Sequence, residues 1–242
     1  YGLLENISFN LKRQEQIIKL FETGSIYLND KENFIENKIL SLSLTGAFYK
    51  KNWIYNNQPD IFFKIKGIVN SLLTKLGFDK CEEIALNKNM FEKALEFRLG
   101  GKAIALTGTI DAKMRNNFDI DHQVAYAELD LNKIFEFYAN KKFKVSPIPQ
   151  FPFSKRDYAI MIDNHINFNS IKEKSFKINR KLLYKIDLFD VYKGKELPKN
   201  KKSYGISFYF YNKERTITDS EINIICNKLE KMFIDSFGAE LR

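Results

Sequence analysis

Three features of the sequence predict an α+β fold in two parts. Residues 1–146 mix helical and strand periods around what reads as one core. Pro147, Pro149 and Pro152 then interrupt the pattern within six residues. The remainder runs β-α-β-β-α-β, the order of a ferredoxin-like sandwich. At 242 residues the chain has room for two domains of ordinary size. They are expected at 1–146 and 147–242.

In the first part, Leu3, Leu4, Ile7 and Leu11 recur at helical spacing. "KLFETGSIYLND" reads as a strand, a turn at Gly24 and more strand. "NKILSLSLTGAF" reads as a buried strand. "DIFFKIKGIVNSLLTKLG" puts Ile61, Ile65, Ile68, Leu72, Leu73 and Leu76 on one helical stripe, closed by Gly77. "EFRLGGKAIALTGTI" is a hairpin around Gly100 and Gly101, and "HQVAYAELDLNKIFEF" a strand running into a short helix.

In the second part, "RDYAIMID" alternates as a strand, with Tyr158, Ile160 and Ile162 on one face. "FNSIKEKSFKI" is a helix with Ile171, Ser175 and Ile178 inward. "LLYKIDLFDVY" and "SYGISFYFY" are the inner strands. Thr218 and Glu221 form a capping box that opens a helix ended by Gly238, and "AELR" returns as a short strand. Both helices then cover one sheet face and leave the other for a ligand.

The net charge is +9 and the pI about 9.3, a balance that suits a polyanionic partner. AT-rich coding also yields lysine-rich chains, so placement matters more than the total. Residues 1–146 hold 21 basic against 18 acidic side chains; the shorter remainder holds 18 against 12. Cys81 and Cys226 stand alone, which argues against a disulfide framework or a zinc site and suits a reducing cytoplasm. No apolar run approaches a membrane span, so no membrane partner is expected. The chain opens on Tyr1 in a helical segment without a signal-peptide pattern, as expected of a fragment of a longer protein.

The inner strands enclose a loop bearing Lys193, Lys195, Lys199, Lys201 and Lys202. Tyr192, Tyr204, Tyr209 and Tyr211 lie on or beside the same strands. Lysines neutralise phosphates, and aromatic rings stack unpaired bases, so the pair suits single-stranded or looped RNA better than duplex, and no DNA partner is expected. The bland alternative is solvated lysines beside core aromatics. "KSYGISFY" meets the RNA-recognition-motif pattern at Lys202, Tyr204, Gly205 and Tyr209 but misses at Ser203, Ile206 and Ser207.

A set of linked motifs goes further. Arg156-Asp157-Tyr158-Ala159, Phe189-Asp190-Val191-Tyr192-Lys193-Gly194, Pro198, Lys202-Ser203, Arg215-Thr216-Ile217-Thr218-Asp219 and residues 238–242 occur in fixed order. Together they resemble the C-terminal anticodon-binding domain of the bacterial phenylalanyl-tRNA synthetase β chain. Tyr158 replaces the usual Leu, and Asn200 a loop Gly whose positive φ Asn tolerates. Leu20 to Gly24, Leu44-Thr45-Gly46, Lys66-Gly67 and "VAYAELDL" resemble the same chain's catalytic-like domain. Gly108-Thr109-Ile110-Asp111-Ala112 departs from the family's G-E-L-H-P.

The resemblance implies a truncated class II synthetase-like antiparallel sheet domain ahead of the ferredoxin-like one. It implies a role in holding phenylalanine tRNA and in scaffolding a catalytic α subunit, as (αβ)2. The anticodon contacts it implies fall on Ala159, Asp190, Tyr192 and Ser203. The lysine loop, with Arg156, is expected to serve the phosphates. A subunit of a ligase is thus expected, without a catalytic site of its own: Glu22 follows Phe21 where class II enzymes place an Arg, and no other arginine sits in such a motif. His122 beside Asp121 reads as surface. No cofactor is expected in the fragment; ATP and Mg would be bound elsewhere in the holoenzyme. The competing readings are a ferredoxin-like module sensing a small ligand, a generic RNA-recognition-motif-like binder, and a complete single-chain ligase. "IDNHINFN" has no Gly at the strand–helix turn, which counts against the small-ligand module.

Overall fold

The computed structural model describes residues 1–30, 33–47, 60–78, 81–141, 148, 150–194 and 197–241. Pro147, Pro149, Lys195 and Arg242 lie outside the described residues. The chain divides into two compact units, Tyr1–Lys144 and Val145–Arg242.

The first unit contains α1 (Gly2–Leu11), β1 (Ile17–Asp30), β2 (Asn33–Gly46), α2 (Ile61–Lys75), β3 (Glu82–Leu86), β4 (Phe91–Leu99), β5 (Lys102–Ile110), α3 (Ala112–Asn116), β6 (Val124–Asp130) and α4 (Leu131–Ala139). Its six strands pair antiparallel in the order β1-β2-β6-β5-β4-β3. Ile61, Ile65, Val69 and Leu73 of α2 pack with Phe97, Ala125, Ala127 and Leu129 of the sheet. Leu4 and Ile7 of α1 join Ile18, Phe91, Ile110 and Val124 in a second cluster.

Two expectations for this unit are corrected. Gly24 makes no turn: β1 runs unbroken through it, with Gly24 opposite Ile39. Pairing to β2 along the whole strand overrides the local preference of Gly for a bend. Ile68 is 37% exposed, and Val69 takes the buried position beside it.

The second unit contains β7 (Ser154–Asp163), α5 (Phe168–Ile178), β8 (Leu183–Tyr192), β9 (Lys201–Phe210), α6 (Asp219–Phe237) and β10 (Glu240–Leu241). The strands order as β10-β7-β9-β8, all antiparallel, as in a ferredoxin-like sandwich. Alternation decides the faces. Ile160 and Ile162 of β7 and Tyr204, Ile206, Phe208 and Phe210 of β9 meet Ile171 of α5 and Ile222, Ile225, Leu229 and Phe233 of α6 in one core.

The second helix starts where its sequence says it should. Thr218 Oγ1 accepts from the Glu221 amide, and the Glu221 carboxylate accepts from the Thr218 amide. Gly238, at φ +56°, ends it in the left-handed cap. Tyr158, where the related motif has Leu, keeps its ring in the core against Phe208 and Phe233. Its hydroxyl donates to Glu230 Oε1 at 2.9 Å, and burial pushes its pKa up.

Candidate nucleic-acid interface

The residues of β7, β9 and β8 that point away from the helices form cross-strand rows, set by the register on both sides of β9. Lys155, Tyr209 and Lys185 make one row; Asp157, Ser207 and Asp187 the next. Ala159, Gly205 and Asp190 follow, then Met161, Ser203 and Tyr192. Successive rows on one face are about 7 Å apart. Ala159, Asp190, Tyr192 and Ser203 are therefore brought into two adjacent rows. Ala159 and Asp190 are exposed, Ser203 partly so, and Tyr192 is 41% exposed.

Two glycines shape this end of the face. A Cβ on Gly194 would stand 2.1 Å from the Tyr192 phenol oxygen, so the ring lies folded against a residue that must be small. A Cβ on Gly205 would stand 2.6 Å from the Phe189 ring and 3.0 Å from Asp190 Cβ. The ring belongs there because the β8–β9 register shifts between Leu188 and Asp190, so Phe189 and Asp190 share the position opposite Gly205. Phe189 is 60% exposed. Its place on this face was not foreseen. The adjacent apolar pair Leu188-Phe189, which breaks strand alternation, is the sequence signal that marks the bulge.

The far end of the face carries charge already paired. Lys155 Nζ lies 2.9 Å from Asp157 Oδ2, and Lys185 Nζ 2.5 Å from Asp187 Oδ2. Ser207 Oγ donates to Asp157 Oδ1 at 2.7 Å. That bond, then Lys155, holds the Asp157 carboxyl below the usual carboxylate range. The hydrogen bonds from Lys155 and Lys185 to these carboxylates raise both lysine pKa values.

The lysine loop divides. Lys193 and Lys199 are exposed, and Lys195 lies outside the described residues. Lys201 forms an ion pair with Glu240 at 2.5 Å. Lys202 requires a correction: it is 4% exposed, so it is not a phosphate contact. Its Nζ donates to the Asn164 carbonyl at 2.8 Å and sits 4.7 Å from the Tyr204 ring centroid. Strand alternation puts it on the helix side of β9, where a charge is tolerated only with such partners. Arg156, expected at the phosphates, keeps a side chain 39% exposed. It has the helix-side parity of β7 and pairs through Nη2 with Asp219 Oδ1 at 2.7 Å.

Tyr204 also faces the core, and Tyr211 is buried against Phe153 and Tyr184, so neither ring is open to a base. Asn200 adopts φ +72°, as its substitution for a loop glycine predicts, and its carbonyl accepts from the Asn164 amide at 2.8 Å.

Elsewhere, Arg115 is a structural arginine. It donates to the carbonyls of Ile110 and His122 and pairs with Glu92. Asp111 caps α3 by accepting from the Met114 amide at 2.6 Å. His122 is exposed. Among the described residues no three His, Cys, Asp or Glu side chains group as a metal site, and no helix is long and apolar enough to cross a membrane.

Comparison with known proteins bears on both units. Residues 1–131 match the family model of the phenylalanyl tRNA synthetase beta chain CLM domain. Residues 149–242 match that of the ferredoxin-fold anticodon binding domain. Among curated relatives, the phenylalanine–tRNA ligase beta subunit of Bacteroides fragilis is 32% identical over 254 residues, covering 100% of this chain and 31% of the relative. That of Buchnera aphidicola is 35% identical over 251 residues, with 100% and 31% covered. That of Bacillus subtilis is 29% identical over 246 residues, with 100% and 30% covered. The chain thus spans just under a third of the length of these relatives.

Proposed function

The chain belongs to the phenylalanyl-tRNA synthetase β-chain family, and from that premise we propose that it is the tRNA-holding and subunit-scaffolding part of a phenylalanine–tRNA ligase β subunit. Its open sheet face takes the anticodon loop of phenylalanine tRNA. Tyr192 stacks on one unpaired base, and Asp190 accepts a hydrogen bond from a base edge. Ala159 lets the loop approach closely, and the Ser203 hydroxyl adds a further polar contact. Lys193 and Lys199, with Lys195, meet the phosphates that follow.

The first unit holds the catalytic α subunit in an (αβ)2 assembly. ATP and Mg²⁺ belong to that partner, which carries out aminoacylation in the cytoplasm. This chain contributes position and RNA selectivity. The observation that carries the reading is the meeting of Ala159, Asp190, Ser203 and Tyr192 in two adjacent rows of the sheet face turned away from the helices, in a unit that matches an anticodon-binding family. A module for a small ligand is not favoured by that match.

The test is a titration of this chain with phenylalanine tRNA and with the same tRNA carrying a scrambled anticodon, at two salt concentrations. Tighter binding of the matched tRNA at both salts is expected. Equal binding of both, abolished by salt, would leave only a general polyanion grip and overturn anticodon reading.

A further inference from the structure

Beyond the Tyr192 end, the open face carries two more rings: Phe189, which is exposed, and Tyr209, which is partly exposed. We propose that Phe189 and Tyr209 form a second stacking subsite for unpaired bases of the bound RNA, with Phe189 taking the base next to the one on Tyr192 and Tyr209 taking one further along the face. The proposal rests on the anticodon-loop reading above and extends it along the same face.

The first observation is the placement of Phe189. It lies in the row next to that of Tyr192, a spacing of about 7 Å that one unstacked nucleotide can bridge. The bulge and Gly205 together lay its ring down on the sheet with 60% of its surface open. A ring kept for packing would be covered. This one is bulged out of the core and supported from below by a residue without a side chain.

The second observation is the Lys155 ammonium, which stands between two rings. It is 5.8 Å from the Phe189 centroid and 6.0 Å from the Tyr209 centroid, and Lys185 stands 5.3 Å from Tyr209 on its other side. The lysines thus mark out a continuous path from Phe189 to Tyr209. The third observation is charge. Asp157 and Asp187 already cancel these two lysines, so this strip offers no net attraction for phosphate. Carboxylates facing the ligand repel a phosphate but accept hydrogen bonds from base amino groups. RNA therefore crosses here with its bases toward the protein, and stacking supplies the grip. The subsite adds affinity without adding salt dependence, which separates it from the lysine loop.

The experiment uses the full chain and phenylalanine tRNA at two salt concentrations, with Tyr192→Ala as the reference variant. Phe189→Leu and Tyr209→Leu keep apolar bulk, at an exposed position for Phe189 and a partly exposed one for Tyr209, and thermal melts check their fold. Each is expected to bind about 5- to 100-fold more weakly, with the parent's salt slope. Phe189→Tyr and Tyr209→Phe, which keep a ring, should retain the parent's affinity. Parent-like binding by both Leu variants while Tyr192→Ala weakens binding would overturn the subsite and leave the anticodon reading standing. Loss accompanied by a flatter salt slope would assign the grip to Lys155 and overturn stacking. No effect of any of the three, Tyr192→Ala included, would overturn the anticodon reading itself.

Discussion

Tyr192 and Lys202 sit ten residues apart, at the end of β8 and the start of β9, yet they answer to different physics. Tyr192 lies against Gly194 at the rim of the open face. Tyr192→Ala should weaken binding of phenylalanine tRNA by roughly 1–3 kcal/mol and leave the melting curve unchanged. Lys202 is buried, and its charge is directed at the Asn164 carbonyl and the Tyr204 ring. Lys202→Ala should lower stability by about 1.5–3 kcal/mol, because a hydrogen bond from a charged donor is lost inside the fold. Its salt slope for RNA should match the parent's. Calorimetry and a titration at two salts separate the two residues. Sequence could not sort them, since both stand in a polar, basic stretch. The sorting came from strand parity, which depends on where β9 begins and on what covers each face.

At the scale of elements, α6 shows how local signals survive into the fold. Its capping box was legible in Thr218 and Glu221, and the reciprocal hydrogen bonds form. Thr218→Ala should cost about 1 kcal/mol of stability, read from thermal melts. Glu221 carries a further consequence. The Arg215 hydrogen bond first, then the Thr218 amide, lower its pKa from 4.5 to about 2. The folded state thus favours the carboxylate, and the stabilisation is fully present above pH 4.5. It fades as pH falls and is gone once the folded group protonates near pH 2. The melting deficit of Glu221→Gln should be constant near neutrality, shrink below pH 4.5 and vanish near pH 2. A deficit that persists there would mean that the Gln side chain fails at the cap for reasons other than charge.

Strands were less legible than this helix. β1 was expected to turn at Gly24, but it continues because β2 supplies a partner along its whole length. A glycine is a preference for bending, and a complete ladder of hydrogen bonds outweighs it. The β8 bulge is the opposite case. Leu188-Phe189 signals it by breaking alternation, but only the register against Gly205 shows which ring it turns outward.

For the whole molecule, the test of charge is the salt dependence of RNA binding. Lys193 and Lys199 are exposed, and the paired lysines of the open face and buried Lys202 add no free charge. Replacing Lys193 and Lys199 with Gln should flatten the slope of log affinity against log salt by about 0.7 for each phosphate that is no longer neutralised. An unchanged slope would make the loop solvated surface only.

The sequence by itself determined the α+β class, the βαββαβ order of the second unit and the family, because helical stripes, caps and ordered motifs are written in neighbouring residues. It also identified the four residues that meet on the open face, through their motif positions. Only the tertiary structure decided that Lys202 and Arg156 turn toward the helices, that Tyr204 and Tyr211 are covered, and that Phe189 lies open beside Tyr192. Those outcomes depend on register and on which face is packed. Both are set by contacts between residues far apart in the chain, where a shift of one position carries a side chain from the core to the surface.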